Sequence, residues 1–573
     1  MPRDSLCIVI PAYNEERNIE MVIREWYPVL SGKGDRSRII INCSGSTDGT
    51  VRILRRMKKE YPALAWMENS QNSYNAKVLD LYRAAVETGA EYIFQTDSDG
   101  QTDPGDFGGF WKARKKYDVI VGARTKRGDG QHRIFVQRVV TGMIRRYFHV
   151  SVPDANTPFR LMKRFIVENY LEIIPAEYSM PNILLTALCR TGGERMAFRR
   201  IAFRPRRGGK NSMNIRKIVR IGFESVGTFR TLGRRFARTT PLERAMETIR
   251  VLGSAGGGKL LWLELLRKIG KEIPDEAFKI PEKTARYLIQ SGKTKEYLEF
   301  LSVYKMHRHM DLDHPVTYCE KLQWLKLHDA TALKTRLTDK YLAKEWIAER
   351  VGDAYAVPLL GVWDRPEEID YDTLPETFVL KTNHSCRTNI FIRDRKDLNP
   401  EEINKKIRKW LSENYAYNSG ELQYYRIRPK VFAEVCLPRY KQGSEEYKLV
   451  CENGKVSEIY CFSRFEENGE SRHTSAFYDR NWNKLEYVTE TRDNITPFEV
   501  PAPDKLQEMI SLAEKLSEGF ASIRVDLYDV GGKIYVGELT FTPGGGYLEF
   551  PSLAYDILMG REITLPAMTP APV

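Results

Sequence analysis

The sequence predicts a multidomain α/β protein: a Rossmann-like parallel-sheet domain first, a helical connector next, and a strand-rich α+β domain last. Three observations predict it. Short apolar runs that end in turn or helix-start residues recur through the first third of the chain, charged segments of helical period fill the middle, and strand-length runs joined by glycine turns return after Val357. With 573 residues the chain is also too long for one ordinary hydrophobic core. We expect boundaries at residues 1–238, 239–300 and 301–573.

The first strands are read in order. Leu6-Cys7-Ile8-Val9-Ile10 leads into Pro11-Ala12-Tyr13-Asn14-Glu15-Glu16, and Ile39-Ile40-Ile41 leads into Gly45-Ser46-Thr47-Asp48-Gly49-Thr50. Tyr92-Ile93-Phe94 then leads into Gln95-Thr96-Asp97-Ser98-Asp99-Gly100-Gln101. Continuous apolar runs of this kind suit strands buried on both faces of a parallel sheet, whose ligands sit at the carboxyl ends. Asp97 and Asp99 are two apart, so on a continuing strand both would face the same side. Two carboxylates with the Gln101 amide form a hard oxygen set of the type that holds Mg²⁺ or Mn²⁺ against a diphosphate.

The order of these pieces, from about Leu6 to Ser212, resembles a family 2 glycosyltransferase of GT-A fold. The Gln-Thr-Asp-Ser-Asp-Gly-Gln form is similar to the polyprenyl-phosphate branch, the dolichol-phosphate mannose synthase-like enzymes. The resemblance implies a nucleotide-sugar donor bound by Pro11, Tyr13, Glu15, Asp48 and Asp97, with Asp97, Asp99 and Gln101 around the metal. It implies inverting transfer to a polyprenyl phosphate or a glycan. Arg124, Arg133 and Arg206 match basic positions of the branch that would position an anionic acceptor, and Asp154 stands where the branch has its Asp before Gly-Phe-Arg, here Asp154-Ala155-Asn156-Thr157-Pro158-Phe159-Arg160. Asp154 would orient the acceptor or act as base toward a hydroxyl; an ordinary helix N-cap is the other reading. Cys43-Ser44 replaces the usual Asp-Asp before Gly-Ser-x-Asp, which leaves the nucleobase open, and the absence of Gln-x-x-Arg-Trp disfavours a processive synthase.

The net charge of +13 is not accompanied by a nucleic-acid motif, so no nucleic-acid partner is expected, and phosphate-bearing substrates or anionic lipid account for it. Between Arg199 and Arg238, Ile215, Val219, Gly222, Phe223, Val226, Phe229 and Phe236 recur at helical spacing, with Arg216, Lys217, Arg220, Arg230, Arg234 and Arg235 mostly off that stripe. Two readings stand: an interfacial helix that brings the enzyme to the lipid surface, or a helix packed on its own domain with a solvated basic face. The eight cysteines show neither a disulfide framework nor zinc spacing, and no run has the length of a spanning helix. We therefore expect a cytoplasmic protein, with peripheral contact at the inner face of the plasma membrane under the first reading.

Gly253-Ser254-Ala255-Gly256-Gly257-Gly258 reads as a break between helical pieces rather than a phosphate loop, because no strand precedes it and no Ser or Thr follows its Gly-Lys. Beyond Val357 the strands are Phe378-Val379-Leu380-Lys381, Val431-Phe432-Ala433-Glu434, a hairpin through Gly454, and a hairpin of Ile523-Arg524-Val525-Asp526 with Val536-Gly537-Glu538 through Gly531-Gly532. Period-two alternation brings Asp526 and Glu538 within reach of one face, a carboxylate pair suited to a Mg-nucleotide.

From about Tyr304 onward the chain resembles a TupA-like ATP-grasp protein of the teichuronopeptide biosynthesis type. The residues that carry the resemblance include Glu320-Lys321-Leu322-Gln323-Trp324-Leu325-Lys326, Asp339-Lys340-Tyr341, Leu380-Lys381-Thr382-Asn383-His384, Tyr447-Lys448, Arg524-Val525-Asp526 and Gly537-Glu538-Leu539-Thr540-Phe541-Thr542-Pro543-Gly544. It implies that Lys381 and Lys448 hold ATP phosphates, that Glu434 lies at the adenine hinge, and that Asp526 and Glu538 bind Mg²⁺. Two departures stand against that pattern: Ser385-Cys386-Arg387-Thr388-Asn389 replaces the glycine-rich turn after Asn-His, and Thr540 stands where many relatives place a metal-binding Asn. The expectation is a bifunctional enzyme of bacterial surface-polysaccharide assembly, joining metal-dependent sugar transfer to ATP-dependent carboxylate–amine ligation. The alternative is a glycosyltransferase with a non-catalytic ATP-grasp module that binds glycan or a partner.

Overall fold

The computed structural model describes residues 3–68, 74–124, 131–176, 178, 180–204, 215–254, 280–437, 444–467, 470–485 and 500–567, and the backbone alone for 74–76, 131–136, 215–224, 254, 397, 444–445 and 462–475. Two compact units result, Met1–Thr239 with Ser552–Leu558, and Thr240–Pro551 with Met559–Val573.

The first unit is built on a seven-stranded sheet of β1 (Leu6–Pro11), β2 (Arg38–Asn42), β3 (Leu64–Met67), β4 (Tyr92–Gln95), β5 (Val119–Arg124), β6 (Arg160–Lys163) and β7 (Met196–Ile201), in the order β3-β2-β1-β4-β6-β5-β7. The pairings of β1 with β2 and β4, of β2 with β3 and of β5 with β7 are parallel; β6 runs against both its neighbours. Every residue of β1 is buried, which is why its sequence is apolar without alternation. One face of the sheet is sealed by an aromatic cluster, with the Phe94 ring 4.8 Å from Phe159, 4.9 Å from Phe107 and 5.1 Å from Trp26. On the other face packs the helix Tyr74–Glu87, whose buried Tyr82 hydroxyl lies 2.5 Å from Gln95 Oε1 and 3.0 Å from Asn182 Oδ1. Gln95, the last residue of β4, is thereby anchored from below.

The basic segment forms the helix Ile215–Phe236. Phe229 and Phe236 are buried, with Phe229 edge-on to Phe148 at 5.4 Å, while Arg230 and Arg234 are exposed. Over this part of the helix the apolar stripe packs on its own unit. The side chains of Arg216, Lys217 and Arg220 lie outside the described residues. No described helix is long and apolar enough to cross a membrane.

The second unit opens with helices, among them Pro241–Ser254, Glu282–Gln290, Thr294–Lys305 and Tyr318–His328. Thr317 and Glu320 close the last of these as a capping box, which satisfies two of the orphan amides of its first turn. Residues 255–258 of the glycine-rich break lie outside the described residues, and Gly253 and Ser254 end a helix. Two antiparallel sheets follow. One contains β8 (Leu359–Trp363), β9 (Phe378–Thr382), β10 (Asn389–Ile392) and β11 (Val431–Val435), in the order β10-β9-β11-β8. The other contains β12 (Ser444–Glu452), β13 (Lys455–Glu467), β14 (Glu470–Tyr478), β15 (Ser522–Val530) and β16 (Lys533–Thr540), in the order β14-β13-β12-β15-β16. Tyr447, Leu449, Val525, Leu527 and Leu539 line its core face against the helix Leu506–Ser517, so the intervening residues project from the opposite face.

One buried group in the first unit sets a pH dependence. The Glu194 carboxylate accepts hydrogen bonds from the Tyr170 hydroxyl at 2.9 Å and the Ala554 amide at 3.1 Å, and burial raises its pKa from 4.5 to about 8. A carboxyl raised on folding leaves the native state with the extra proton between those values, so stability is full below pH 4.5 and falls as pH rises through 8. Denaturant titrations of the protein and of Glu194→Gln, run from pH 4.5 to 8, will show a loss on the order of 4 kcal/mol in the parent and a flatter profile in the variant.

Candidate active sites

The strand order of the first unit creates a place for a ligand. From β1 the chain moves to β2 and β3 on one side and returns to β4 on the other, so the loops leaving β1 and β4 diverge at their carboxyl ends and open a crevice. Pro11 to Glu15 leave β1 there, and Asp97 and Asp99 leave β4. The strand ends at Gln95, so the two carboxylates lie in a loop rather than on a continuing strand, which corrects the sequence-based expectation. The loop is fixed by three contacts: Thr96 Oγ1 to Thr102 Oγ1 at 2.7 Å, Ser98 Oγ donating to Pro11 O at 2.9 Å, and Gln101 N–H donating to Asp99 Oδ1 at 3.1 Å. Gly100, at φ +71°, supplies the left-handed turn. Asp97, Asp99 and Gln101 are partly exposed, while Thr96, Ser98 and Thr102 are buried beneath them.

The two loops beside β1 and β2 interlock. Asp48 accepts from Thr50 Oγ1 at 2.6 Å, Thr50 N–H at 3.0 Å and Glu16 N–H at 3.1 Å; burial acts to raise its carboxyl, and these donors outweigh it and hold it below the usual range. The Glu15 amide donates to Thr50 Oγ1 at 2.9 Å, and Tyr13 stays exposed at the rim. Under that rim lies Lys77, only 2 % exposed, with Nζ 3.1 Å from Ala12 O and 4.8 Å from the centre of the Tyr13 ring. Burial lowers its ammonium below the ordinary value, and no carboxylate among the described residues pairs with it.

The reversed strand brings a second loop to the same edge. Arg160, the first residue of β6, is in register with Gln95 of β4 and Val121 of β5. Its buried guanidinium donates to the carbonyls of Ala155, Thr157 and Asn182, which fixes the preceding loop. That loop carries Asp154, which is not a helix cap: Arg124 at the end of β5 grips it through Nε at 2.8 Å and a second guanidinium nitrogen at 3.1 Å. Arg124 and Asp154 thus come together, and Arg124 is an orienting partner of Asp154. The side chain of Arg133 and the whole of Arg206 lie outside the described residues.

In the second unit a row of chemistry-bearing residues crosses the face of the five-stranded sheet opposite its hydrophobic core. Register pairs Tyr460 with Lys448, Lys448 with Asp526, and Asp526 with Glu538. Asp526 is 2 % exposed and is held by Lys448 Nζ at 2.8 Å and by Arg524 Nε at 2.6 Å; burial opposes its ionisation, and the two cations outweigh burial and keep its carboxyl below the usual range. Arg524 also reaches Thr540 Oγ1 at 3.3 Å. Glu538 lies 3.8 Å from Lys340 Nζ. In the other sheet Lys381 of β9 pairs with the buried Glu434 of β11, whose second oxygen meets Lys344 Nζ at 2.8 Å. Burial acts to raise Glu434 and the two ammonium groups hold it low.

The sequence reading gives no role to Lys77, Lys344 or Arg524. Arg524 was findable, since it stands two residues before Asp526 on the same strand and so shares its face. Lys77 and Lys344 sit on helices, where no local pattern marks a lysine that turns inward. Among the described residues no three His, Cys, Asp or Glu side chains cluster as metal ligands.

Residues 7–171 match the family model described as Glycosyl transferase family 2, and residues 320–564 match the one described as TupA-like ATPgrasp. The succinoglycan biosynthesis protein ExoA of Rhizobium meliloti (strain 1021) is 37 % identical over 105 residues, 18 % of this chain and 30 % of that protein. An undecaprenyl-phosphate 4-deoxy-4-formamido-L-arabinose transferase of Pseudomonas paraeruginosa is 24 % identical over 263 residues, 45 % of this chain and 71 % of the relative. Among solved structures, glucosyl-3-phosphoglycerate synthase from Mycobacterium tuberculosis with phosphoglyceric acid aligns over 40 % of this chain and 79 % of its own, at a TM-score of 0.29 and 18 % identity.

The Arg124–Asp154 pair is shielded, with side chains 12 % and 5 % exposed. Arg124→Leu or Asp154→Leu alone will strand a desolvated charge and cost roughly 3–5 kcal/mol, whereas the double variant will cost clearly less than the sum. Chemical denaturation of the three variants checks this; additive losses would contradict the pairing.

Proposed function

We propose, for a chain that joins a family 2 glycosyltransferase to a TupA-like ATP-grasp segment, that each unit carries its own reaction: sugar transfer from a nucleotide sugar in the first, and ATP-dependent carboxylate–amine ligation on a glycan in the second. The observation that carries the transferase reading is the bond from Ser98 Oγ to Pro11 O, which holds the loop of Asp97 and Asp99 against the exit of β1 at the carboxyl ends of the paired strands β1 and β4. Pro11, Tyr13, Glu15 and Asp48 would frame the nucleoside, and Lys77 would face its phosphates as a desolvated cation. Asp97, Asp99 and Gln101 would hold Mg²⁺ or Mn²⁺, which supplies charge neutralisation to the departing nucleoside diphosphate.

The bond from the anomeric carbon to the diphosphate oxygen breaks as the acceptor oxygen attacks from the opposite face, which inverts the centre. A hydroxyl acceptor loses its proton to Asp154, whose carboxylate Arg124 orients. A polyprenyl phosphate is already an anion and needs cations instead, for which Arg133 and Arg206 are the candidates. The relatives named undecaprenyl-phosphate transferases support that acceptor class. A cytoplasmic site with peripheral membrane contact fits a lipid-borne acceptor.

In the second unit, Lys381 and Lys448 would hold the ATP phosphates, Glu434 would sit at the adenine end, and Asp526 with Glu538 would hold Mg²⁺. A carboxylate oxygen attacks the γ-phosphorus and releases ADP; an amine then attacks the acyl carbon, phosphate departs, and the amine gives up a proton. One observation favours the non-catalytic alternative: Asp526 already binds both Lys448 and Arg524, so a nucleotide complex requires these contacts to rearrange.

Asp97→Asn and Asp99→Asn will each lower sugar-nucleotide turnover about 10²–10³-fold with the fold intact. EDTA will abolish turnover and Mn²⁺ or Mg²⁺ will restore it; full activity of either variant at saturating metal would refute the assignment. Asp526→Asn will remove ATP-dependent ligation and Lys381→Ala will chiefly weaken MgATP binding, with sugar transfer unchanged in both. Calorimetry on the parent that detects no MgATP binding would replace the ligase with the binding module.

A further inference from the structure

The basic helix Ile215–Phe236 has a basic neighbour in the helix Gln131–Phe148. The two meet near their C-terminal ends: the Phe148 ring is edge-on to Phe229 at 5.4 Å, Gly233 sits where a Cβ would strike the Tyr147 carbonyl, and His149 Nδ1 lies 2.9 Å from Arg238 O. The 18 residues of Gln131–Phe148 include no acid, and the 22 of Ile215–Phe236 include only Glu224. Arg138, Arg145 and Arg146 are exposed on the first helix, Arg230 and Arg234 on the second, and Arg238 just beyond its end. Arg138 and Arg145 are two turns apart and Arg230 and Arg234 one turn, so each helix carries its arginines on one outward arc. Ile144, Phe148, Phe229 and Phe236 are buried beneath them.

The six arginines differ from others on exposed helices of this chain. Arg24 meets Glu60 at 3.0 Å, Arg286 meets Glu282 at 3.1 Å and Arg408 meets Glu367 at 2.8 Å, whereas no carboxylate among the described residues pairs with any of the six. Arg145, Arg146 and Arg234 lie in last turns, where the helix macrodipole favours a cation. That accounts for their sign, but it does not reach back to Arg138 or Arg230. Like charges held together without counter-ions repel one another, and an anionic partner laid over them relieves the repulsion.

Two observations identify the partner. Val139 is 46 % exposed among the arginines, with half-buried Val140 and Met143 beside it. An apolar side chain within a basic face suits the boundary between lipid headgroups and acyl chains, and it gains nothing from a phosphodiester backbone. The same helix also adjoins the loop of Asp154, because Gln137 Nε2 donates to Pro153 O at 2.9 Å. The basic face therefore borders the end of the crevice assigned to the acceptor.

We propose that these two helices dock the first unit on an anionic lipid bilayer, with the six arginines among the headgroups and Val139 at the acyl boundary. Docking is by charge, since Phe229 and Phe236 of the basic helix are buried in their own unit. The proposal rests on the polyprenyl-phosphate reading for its purpose, which is to bring a lipid-borne acceptor to the Asp154 end of the crevice. It stands independently for its binding, because none of the six arginines belongs to the proposed catalytic set.

Flotation of the full chain with vesicles of phosphatidylcholine alone, and with vesicles that also hold phosphatidylglycerol, tests it. The anionic vesicles will capture the protein at low salt, the neutral ones will not, and about 1 M NaCl, which shortens screening to about 3 Å, will release it. A variant with Arg138→Gln, Arg145→Gln, Arg230→Gln and Arg234→Gln, its fold checked by circular dichroism, will partition more than about 100-fold less, from about 5-fold per arginine. A control that removes the same charge from the second unit, Arg365→Gln with Arg393→Gln, Arg408→Gln and Arg480→Gln, will bind as the parent does. Equal losses in the two variants would trace capture to net charge and overturn the proposal, as would equal capture by both kinds of vesicle, capture by neither, or a preference for duplex DNA over anionic vesicles at the same salt. Vesicle capture without transfer to any polyprenyl phosphate would refute that acceptor and leave the docking face standing; transfer to a water-soluble, short-chain polyprenyl phosphate without vesicle capture would do the reverse.

Discussion

The parallel pairing of β1 with β4, while β1 also pairs with β2, is the constraint on which the first unit depends. Parallel strands need long crossovers, so the chain must leave β1 toward one side and come back on the other, and that return opens the crevice. Of the residues proposed for sugar transfer, Pro11, Tyr13, Glu15, Asp97 and Asp99 lie on the two loops that border that opening. The buried hydrophobic cluster around Phe94 and the hydrogen bond from Tyr82 to Gln95 fix the end of β4, from which Asp97 and Asp99 depart.

The second unit solves a different problem with antiparallel strands. Its charged row is assembled across three strands, with Lys448 on β12, Arg524 and Asp526 on β15 and Glu538 on β16, so every member sits on a strand and none on a loop. Desolvation raises the cost of each charge, and the alternation of Lys448, Asp526, Arg524 and Glu538 offsets that cost locally.

Much of this was legible in the sequence where period alone decides the outcome. The buried strands β1, β2 and β4, the hairpin through Gly531-Gly532 and the juxtaposition of Asp526 with Glu538 follow from apolar runs and two-residue alternation. The reading lapsed where tertiary contacts override the local pattern. Asp97 and Asp99 leave the strand because Ser98 bonds to Pro11 and Gly100 turns the chain left-handed, neither of which alternation can express. Arg124 read as a cation awaiting a ligand because Asp154, thirty residues on, gives no local sign that it returns to meet it. Lys77 and Lys344 were invisible for the same reason: a lysine on a helix is ordinarily solvated, and only the packed fold turns these inward.

The reversed direction of β6 has a consequence for how the first unit can diversify. A parallel strand offers the ligand edge only the segment that follows it, whereas β6 offers the segment that precedes it. The crevice is thus furnished from both chain directions, by the exits of β1 and β4 and by an entrance at Asp154. Insertions or substitutions before Arg160 can reshape the Asp154 end of the crevice without disturbing the pairing of β1 with β4, so the two ends of the crevice are free to change separately.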